Sequence, residues 1–252
     1  MPPAPGRRLV RGPIPLTEVV PTERAAASLP VPLTPLVGRT DEVAAVHDLL
    51  RRDDVRLVTL IGPGGIGKTR LAIAVATDPP AVFADGVVFV SLATVHDPEL
   101  ILPSLAEALG IRGGGRRSLF DQLVARLAPD DRLVIFDNFE QLVAGATVMT
   151  DLLAACPRLK VLVTSRAILH LSGEYALDVP SLALPAPDRA GRHDLAEVEA
   201  APAIHLFVAR ARAARREFRL SDANAPAASR PKPPTKTERR RKRVCSSGLS
   251  RS

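Results

Sequence analysis

Gly62-Pro63-Gly64-Gly65-Ile66-Gly67-Lys68-Thr69 fits the pattern G-x-x-x-x-G-K-[ST] at every fixed position. Residue type explains what such a segment can do. Glycines let successive backbone N–H groups converge on one anion without Cβ clashes. A helix opening at the end of the loop adds partial positive charge. Lys68 then reaches β- and γ-phosphates, and the Thr69 hydroxyl is a ligand for Mg2+. Gly62, Gly64, Gly65, Ile66, Gly67, Lys68, Thr69 and Arg70 are therefore the candidate phosphate cradle. A glycine-rich strand–helix turn with no ligand would not need Gly67, Lys68 and Thr69 together.

A loop of this kind needs a second metal ligand at the end of a neighbouring strand. Arg132-Leu133-Val134-Ile135-Phe136-Asp137 supplies four apolar residues ending in an acid. Asp137 is the expected Mg2+ partner of Thr69; the competing role is a helix cap. Hydrolysis also needs a group that orients the attacking water. The residue after Asp137 is Asn138, so Glu140, two further on, is the candidate, unless it is only a first-turn helix acid. Val163-Thr164-Ser165-Arg166 ends another apolar run. Thr164 or Ser165 is expected to sense the γ-phosphate and Arg166 to stabilise its charge, a solvated arginine being the alternative. The five histidines are isolated in sequence, without metal-ligand spacing, and receive no role.

Elements that position these groups follow from apolar pattern. Leu57–Ile61, Val87–Leu92, Leu133–Phe136 and Val161–Val163 are apolar nearly throughout, as strands covered on both faces are. Tyr175–Val179 is a fifth candidate. Thr40 is expected to cap a helix with Asp41 and Glu42 in its first turn, Arg51 and Arg52 in its last, and Val43, Val46, Leu49 and Leu50 on one face. Leu119 to Leu127 and Leu142 to Leu153 also follow helical spacing. Strands alternating with helices predict an α/β, three-layer P-loop NTPase fold with about five mostly parallel strands. Residues 1–33 read as a Pro-rich flexible linker and 34–222 as the nucleotide-binding domain. After Pro185 the text is loop-like. A last helix is expected over about 202–218, with Ile204, Phe207, Val208 and Ala211 inward. Residues 223–252 read as a disordered basic tail.

Charge distribution excludes one class of function for the body of the chain. Residues 230–252 hold nine Lys or Arg and one acid, a net +8, against +7 for the whole chain; the other 229 residues therefore carry −1. A basic run this short offers sequence-independent phosphate contacts at most, and it lacks base-stacking aromatics. Cys156 and Cys245 are too few for a disulfide framework or a zinc site, so a reducing cytoplasm is expected. No apolar run of about 18 residues exists, and no membrane span or membrane partner is expected. No apolar stretch follows the first arginines, so no signal peptide is expected.

These motifs in this order resemble the NB-ARC-type ATPase domain of the STAND class of signalling NTPases. The bacterial version in LuxR-like and AfsR-like transcriptional regulators is most similar. Leu36-Val37-Gly38-Arg39, Gly62–Thr69, Phe83–Leu92, Phe136-Asp137-Asn138-Phe139-Glu140-Gln141, Ala155-Cys156-Pro157 and Leu162–Arg166 carry the likeness, over about Thr34 to Ala227. It implies an ATP/ADP switch with ADP in the resting state, exchange to ATP on signal, self-association and slow hydrolysis. It also implies that Val37, Gly38 and Arg39 lie near the adenine. That family continues into a helical subdomain with a Gly-Leu-Pro-Leu-Ala motif, which this sequence lacks. Its last 25 or so residues are GC-rich-codon text, expected to be an out-of-frame tail, and DNA contact is expected only through domains absent from this chain. The competing functions are a P-loop small-molecule kinase or transferase and a nucleic-acid-binding protein acting through Lys236–Arg243.

Overall fold

The computed structural model describes residues 29–111, 117–185, 195–221 and 224. The linker and tail expectations for 1–28 and 225–252 lie outside these residues. Residues 29–33 are without helix or strand, and Val31 and Leu33 are exposed.

In chain order the elements are α1 (Thr40–Arg51), β1 (Leu57–Ile61), α2 (Lys68–Thr77), β2 (Val87–Ser91), α3 (Ile101–Ala108) and α4 (Leu119–Leu127). They continue with β3 (Leu133–Asp137), α5 (Thr147–Ala155), β4 (Lys160–Ser165), β5 (Glu174–Asp178), α6 (Leu195–Ala200) and α7 (Pro202–Ala214). The five strands form one sheet in the order β2-β3-β4-β1-β5, and every pairing is parallel. Parallel neighbours need a crossover, and the alternating helices provide it.

Strand residues alternate between two cores, which is why the strands read as continuous apolar runs. Leu57, Val88, Val90, Val134, Phe136, Val161 and Val163 face α3, α4 and α5. Val58, Leu60, Phe89, Leu133, Ile135 and Leu162 face α1 and α2. This is the three-layer α/β fold that the pattern predicts. Val46 and Leu50 of α1 are fully buried in the second core, with Val43 and Leu49 packed beside them.

Three local expectations need correction. Arg39, not Thr40, is the N-cap of α1, and no side chain caps that end. Helical spacing from Leu142 begins as a 3-10 turn, Val143–Gly145, which follows another over Phe139–Gln141, and α5 starts only at Thr147. Gly145 sits tightly against Pro98 and Ile101, so the chain arrives at α5 through turns. The last helix stops at Ala214, where Arg215 is extended, and Phe218 folds back edge-on to Phe207 at 5.6 Å. Phe207 is therefore 44% exposed, not inward. Only Ile204 of α7 is buried, in a small cluster with Val198 and Ala201. Val198 belongs to α6, a short helix that the loop-like text after Pro185 does not announce.

Gly38 packs against Pro202 at the start of α7. Its φ is +61°, and a Cβ there would lie 2.3 Å from the Pro202 Cβ. Gly38→Ala combines left-handed strain with overpacking, at a cost of about 2–4 kcal/mol. Urea unfolding of the variant is expected to show that loss; an unchanged midpoint would mean that Pro202 moves aside freely.

Candidate functional site

β1 ends at Ile61, and the chain turns through Gly62–Gly67 into α2. Gly65 and Gly67 have φ of +79° and +103°, values that L side chains rarely adopt. Gly67 is the N-cap of α2, so the first helical residues are Lys68 and Thr69. The expected strand–loop–helix arrangement is present.

Lys68 is 8% exposed, and its ammonium donates to the Gly62 and Pro63 carbonyls at 2.9 and 3.2 Å. Burial pushes Lys68 below the usual lysine value; Glu140 opposes this, Arg166 adds to it and Asp137 opposes it. The lysine thus shares its surroundings with the acids and the arginine that the sequence singles out.

Thr69 Oγ1 donates to Asp137 Oδ1 at 2.7 Å, across 68 residues of sequence. Thr164 Oγ1 donates to the same oxygen at 2.6 Å, and the Asn138 backbone N–H donates to Thr164 Oγ1 at 2.9 Å. Strand register explains the meeting. β3 and β4 pair up to Phe136 with Val163, so Asp137 and Thr164 follow side by side. Phe136 and Val163 point into the α3–α5 core, which turns their successors toward α2 by the two-residue period of a strand.

The chain leaves β3 through a left-handed residue. Asn138 has φ +65° and ψ +46°, a conformation that asparagine tolerates better than most residues. The turn sends Phe139 into the core at 0% exposure and returns Glu140 toward the phosphate loop. There Arg166 Nε donates to Glu140 Oε1 at 2.7 Å, with the arginine side chain 55% exposed and the carboxylate 14%. The Arg166 guanidinium also lies over Gly64.

These groups bound a cavity of about 320 Å3, with Gly64, Gly65 and Gly67–Arg70 on one side and Asn138, Glu140, Thr164 and Arg166 on the other. Arg70 borders it without pointing its guanidinium in, and Gly62, Ile66 and Ser165 are not among its lining residues. Ser165 is fully buried and its hydroxyl accepts the Ala167 N–H. The Arg70 guanidinium turns away to the Thr34 hydroxyl and the Thr34 and Pro35 carbonyls. Ile66 contributes its carbonyl to Arg39. The Gly62 carbonyl binds Lys68.

Val37, Gly38 and Arg39 line other cavities. Gly38 and Arg39 border one of about 690 Å3 that also meets Leu177–Asp178, Pro180–Ala183 and Pro202. Val37 borders one of about 440 Å3 against α7. Arg39 itself is 4% exposed; its guanidinium donates to the Ile66 carbonyl at 3.1 Å and the Pro180 carbonyl at 2.7 Å, and pairs with Glu42. Arg39, whose side chain makes no cap bond at α1, therefore clamps the phosphate loop to the segment just after β5. Sequence reasoning missed this clamp, the left-handed Asn138 and the Thr164–Asp137 bond. Only Asn138 left a local trace, as an asparagine directly after a strand-ending acid.

A hydroxyl and a carboxylate are hard oxygen donors suited to Mg2+, which keeps several waters and takes few protein ligands. Thr69 and Asp137 would hold such an ion, and the Gly64–Gly67 backbone would receive phosphate oxygens. No cluster of three or more His, Cys, Asp or Glu able to hold a metal unaided exists among the described residues. No helix among them is long and apolar enough to cross a membrane.

Residues 51–175 match the family model of the AAA domain. The chain is 37% identical over 190 residues to an uncharacterized protein of Mycobacterium tuberculosis, covering 75% of this chain and 44% of that one. It is 39% identical over 130 residues to a putative HTH-type transcriptional regulator of the same organism, covering 51% and 14%. With the regulatory protein AfsR of Streptomyces coelicolor it shares 30% identity over 174 residues, covering 62% and 17%. It therefore spans less than half the length of each of these relatives. A Signal Transduction ATPase with Numerous Domains (STAND) protein with a tetratricopeptide repeat sensor, from Pyrococcus horikoshii, aligns with TM-score 0.42 at 17% identity, over 82% of this chain and 29% of that one. Residues 51–175 are thus similar to the AAA domain, and the chain is similar to parts of a putative HTH-type transcriptional regulator and of AfsR.

Proposed function

We propose that this chain is the adenine-nucleotide switch module of a signalling ATPase of the STAND, NB-ARC-like type, serving a cytoplasmic transcriptional regulator. The observation that carries the reading is the 2.7 Å bond between Thr69 of the phosphate loop and Asp137 at the end of β3. A turn that merely joined strand to helix would not need that carboxylate. A hydroxyl whose proton goes to Asp137 keeps its lone pairs for a metal, so the pair suits a Mg2+-bound phosphate. Bound Mg2+ supplies charge neutralisation at the β- and γ-phosphates. Lys68 would exchange its two carbonyl contacts for phosphate oxygens. Adenine would lie beside Val37, Gly38 and Arg39, where the cavity next to Pro202 offers room. Glu140 would orient water and Arg166 would meet the γ-phosphate charge, giving slow hydrolysis at most. Self-association belongs to the same reading, and DNA contact to domains outside this chain.

Lys68→Met tests the cradle with two readouts. Loss of charged hydrogen bonds to phosphate is expected to weaken ATP and ADP binding roughly 10–100-fold by calorimetry. Stability without nucleotide is expected to hold or rise. A lysine lowered by burial binds its proton less tightly folded than unfolded, so its charge opposes folding at neutral pH. Unchanged nucleotide affinity would sink the proposed site.

Glu140→Gln separates turnover from binding. Phosphate release is expected to fall by a factor of about 10²–10⁴ while nucleotide affinity stays as in wild type. Equal turnover in the two proteins would remove Glu140 from the reaction.

A further inference from the structure

We infer that Thr164 is a positioning residue for the metal-binding carboxylate and not the phosphate sensor that its place in the sequence suggests. The inference rests on the nucleotide reading above and assigns one residue within it.

The argument begins with proton direction. A threonine hydroxyl has one proton to give and two lone pairs to receive with. The Asn138 backbone N–H has nothing to offer but its proton, and it gives it to Thr164 Oγ1 at 2.9 Å. The Thr164 proton must then point elsewhere, and Asp137 Oδ1 is the acceptor 2.6 Å away. A hydrogen bond this short is expected of a hydroxyl on a carboxylate. Thr164 is 1% exposed, so no bulk water competes for either bond.

Thr69 Oγ1 gives its own proton to the same oxygen, Asp137 Oδ1. One carboxylate oxygen is thus held by two hydroxyls, one from α2 and one from β4. That fixes the plane of the carboxylate and leaves Oδ2 as the oxygen available to a metal or its water. The left-handed turn at Asn138 serves the same relay, because it places the backbone N–H on Thr164 while it returns Glu140 to the cavity. A γ-phosphate sensor must spend its proton on the phosphate. Thr164 has already spent it on Asp137.

Supporting groups around metal ligands typically change metal affinity 10–100-fold when removed. The test measures ADP and ATP affinity by fluorescence titration, each with excess Mg2+ and with chelator, for wild type, Thr164→Val and Thr164→Ser. Mn2+ binding in the nucleotide complex is followed by electron paramagnetic resonance. Thr164→Val is expected to weaken Mn2+ about 10-fold or more and to erase the Mg2+-dependent gain in affinity for both nucleotides. Metal-free affinity is expected to stay as in wild type, which also reports an intact fold. Thr164→Ser, which keeps the hydroxyl, is expected to restore metal dependence. A Thr164→Val protein with wild-type Mn2+ affinity overturns the inference. So does one that weakens ATP relative to ADP with metal dependence intact, because that is how a phosphate sensor behaves. Should wild type bind neither nucleotide under any condition, the nucleotide reading itself falls, and this inference with it.

Discussion

Asp137 is a carboxylate at the end of a wholly buried strand, 4% exposed. Water cannot solvate it there, so protein donors must. Two hydroxyls do so, from Thr69 and Thr164, and each belongs to a different element. The constraint reaches outward from that oxygen. It holds the start of α2 against the end of β3, and so sets where the phosphate loop stands. It holds β3 to β4 at their carboxyl ends, one residue beyond the last paired backbone position. It leaves the Thr164 hydroxyl needing the Asn138 N–H, which joins the left-handed turn to the same network.

Arg39 makes a comparable demand from the other side of the loop. A buried guanidinium must satisfy its donors, and the Ile66 and Pro180 carbonyls and Glu42 do so. These partners tie the loop after β1 to the segment after β5 and to the first turn of α1. Lys68 lies between the two networks. Its charge is unwelcome in the interior, with two backbone carbonyls as its direct partners. A site that needs a positive charge for phosphate thus accepts a cost in the folded chain.

The AAA match spans residues 51–175, from the end of α1 into β5. α6 and α7 form a smaller cluster, in which Val198, Ala201 and Ile204 are the buried hydrophobic residues among those described. Gly38 packs against Pro202 at the start of α7, with a backbone conformation and a clearance that a side chain would violate. The segment that the resemblance places near adenine is therefore also the contact between the α/β body and α7.

Much of this protein is set by local rules, and those are legible in the residues themselves. The strands read as apolar runs because both faces are covered, and the phosphate loop reads as glycine spacing because only such a backbone can wrap an anion. Leu57–Ile61, the start of α2 at Lys68 and the acid ending β3 follow from composition within a few neighbours. Partnerships across the sheet do not. Thr164 meets Asp137 because β3 and β4 are neighbours in a particular register, and Arg39 reaches Pro180 because β5 lies next to β1. Neither fact has a period or a motif. A hydroxyl one residue from another looks the same in sequence, yet Thr164 holds the carboxylate while Ser165 turns to its own backbone. Sequence determined which groups are candidates to bind phosphate and metal. Tertiary structure decided which of them face one another, since buried donors and acceptors are matched through space and not along the chain.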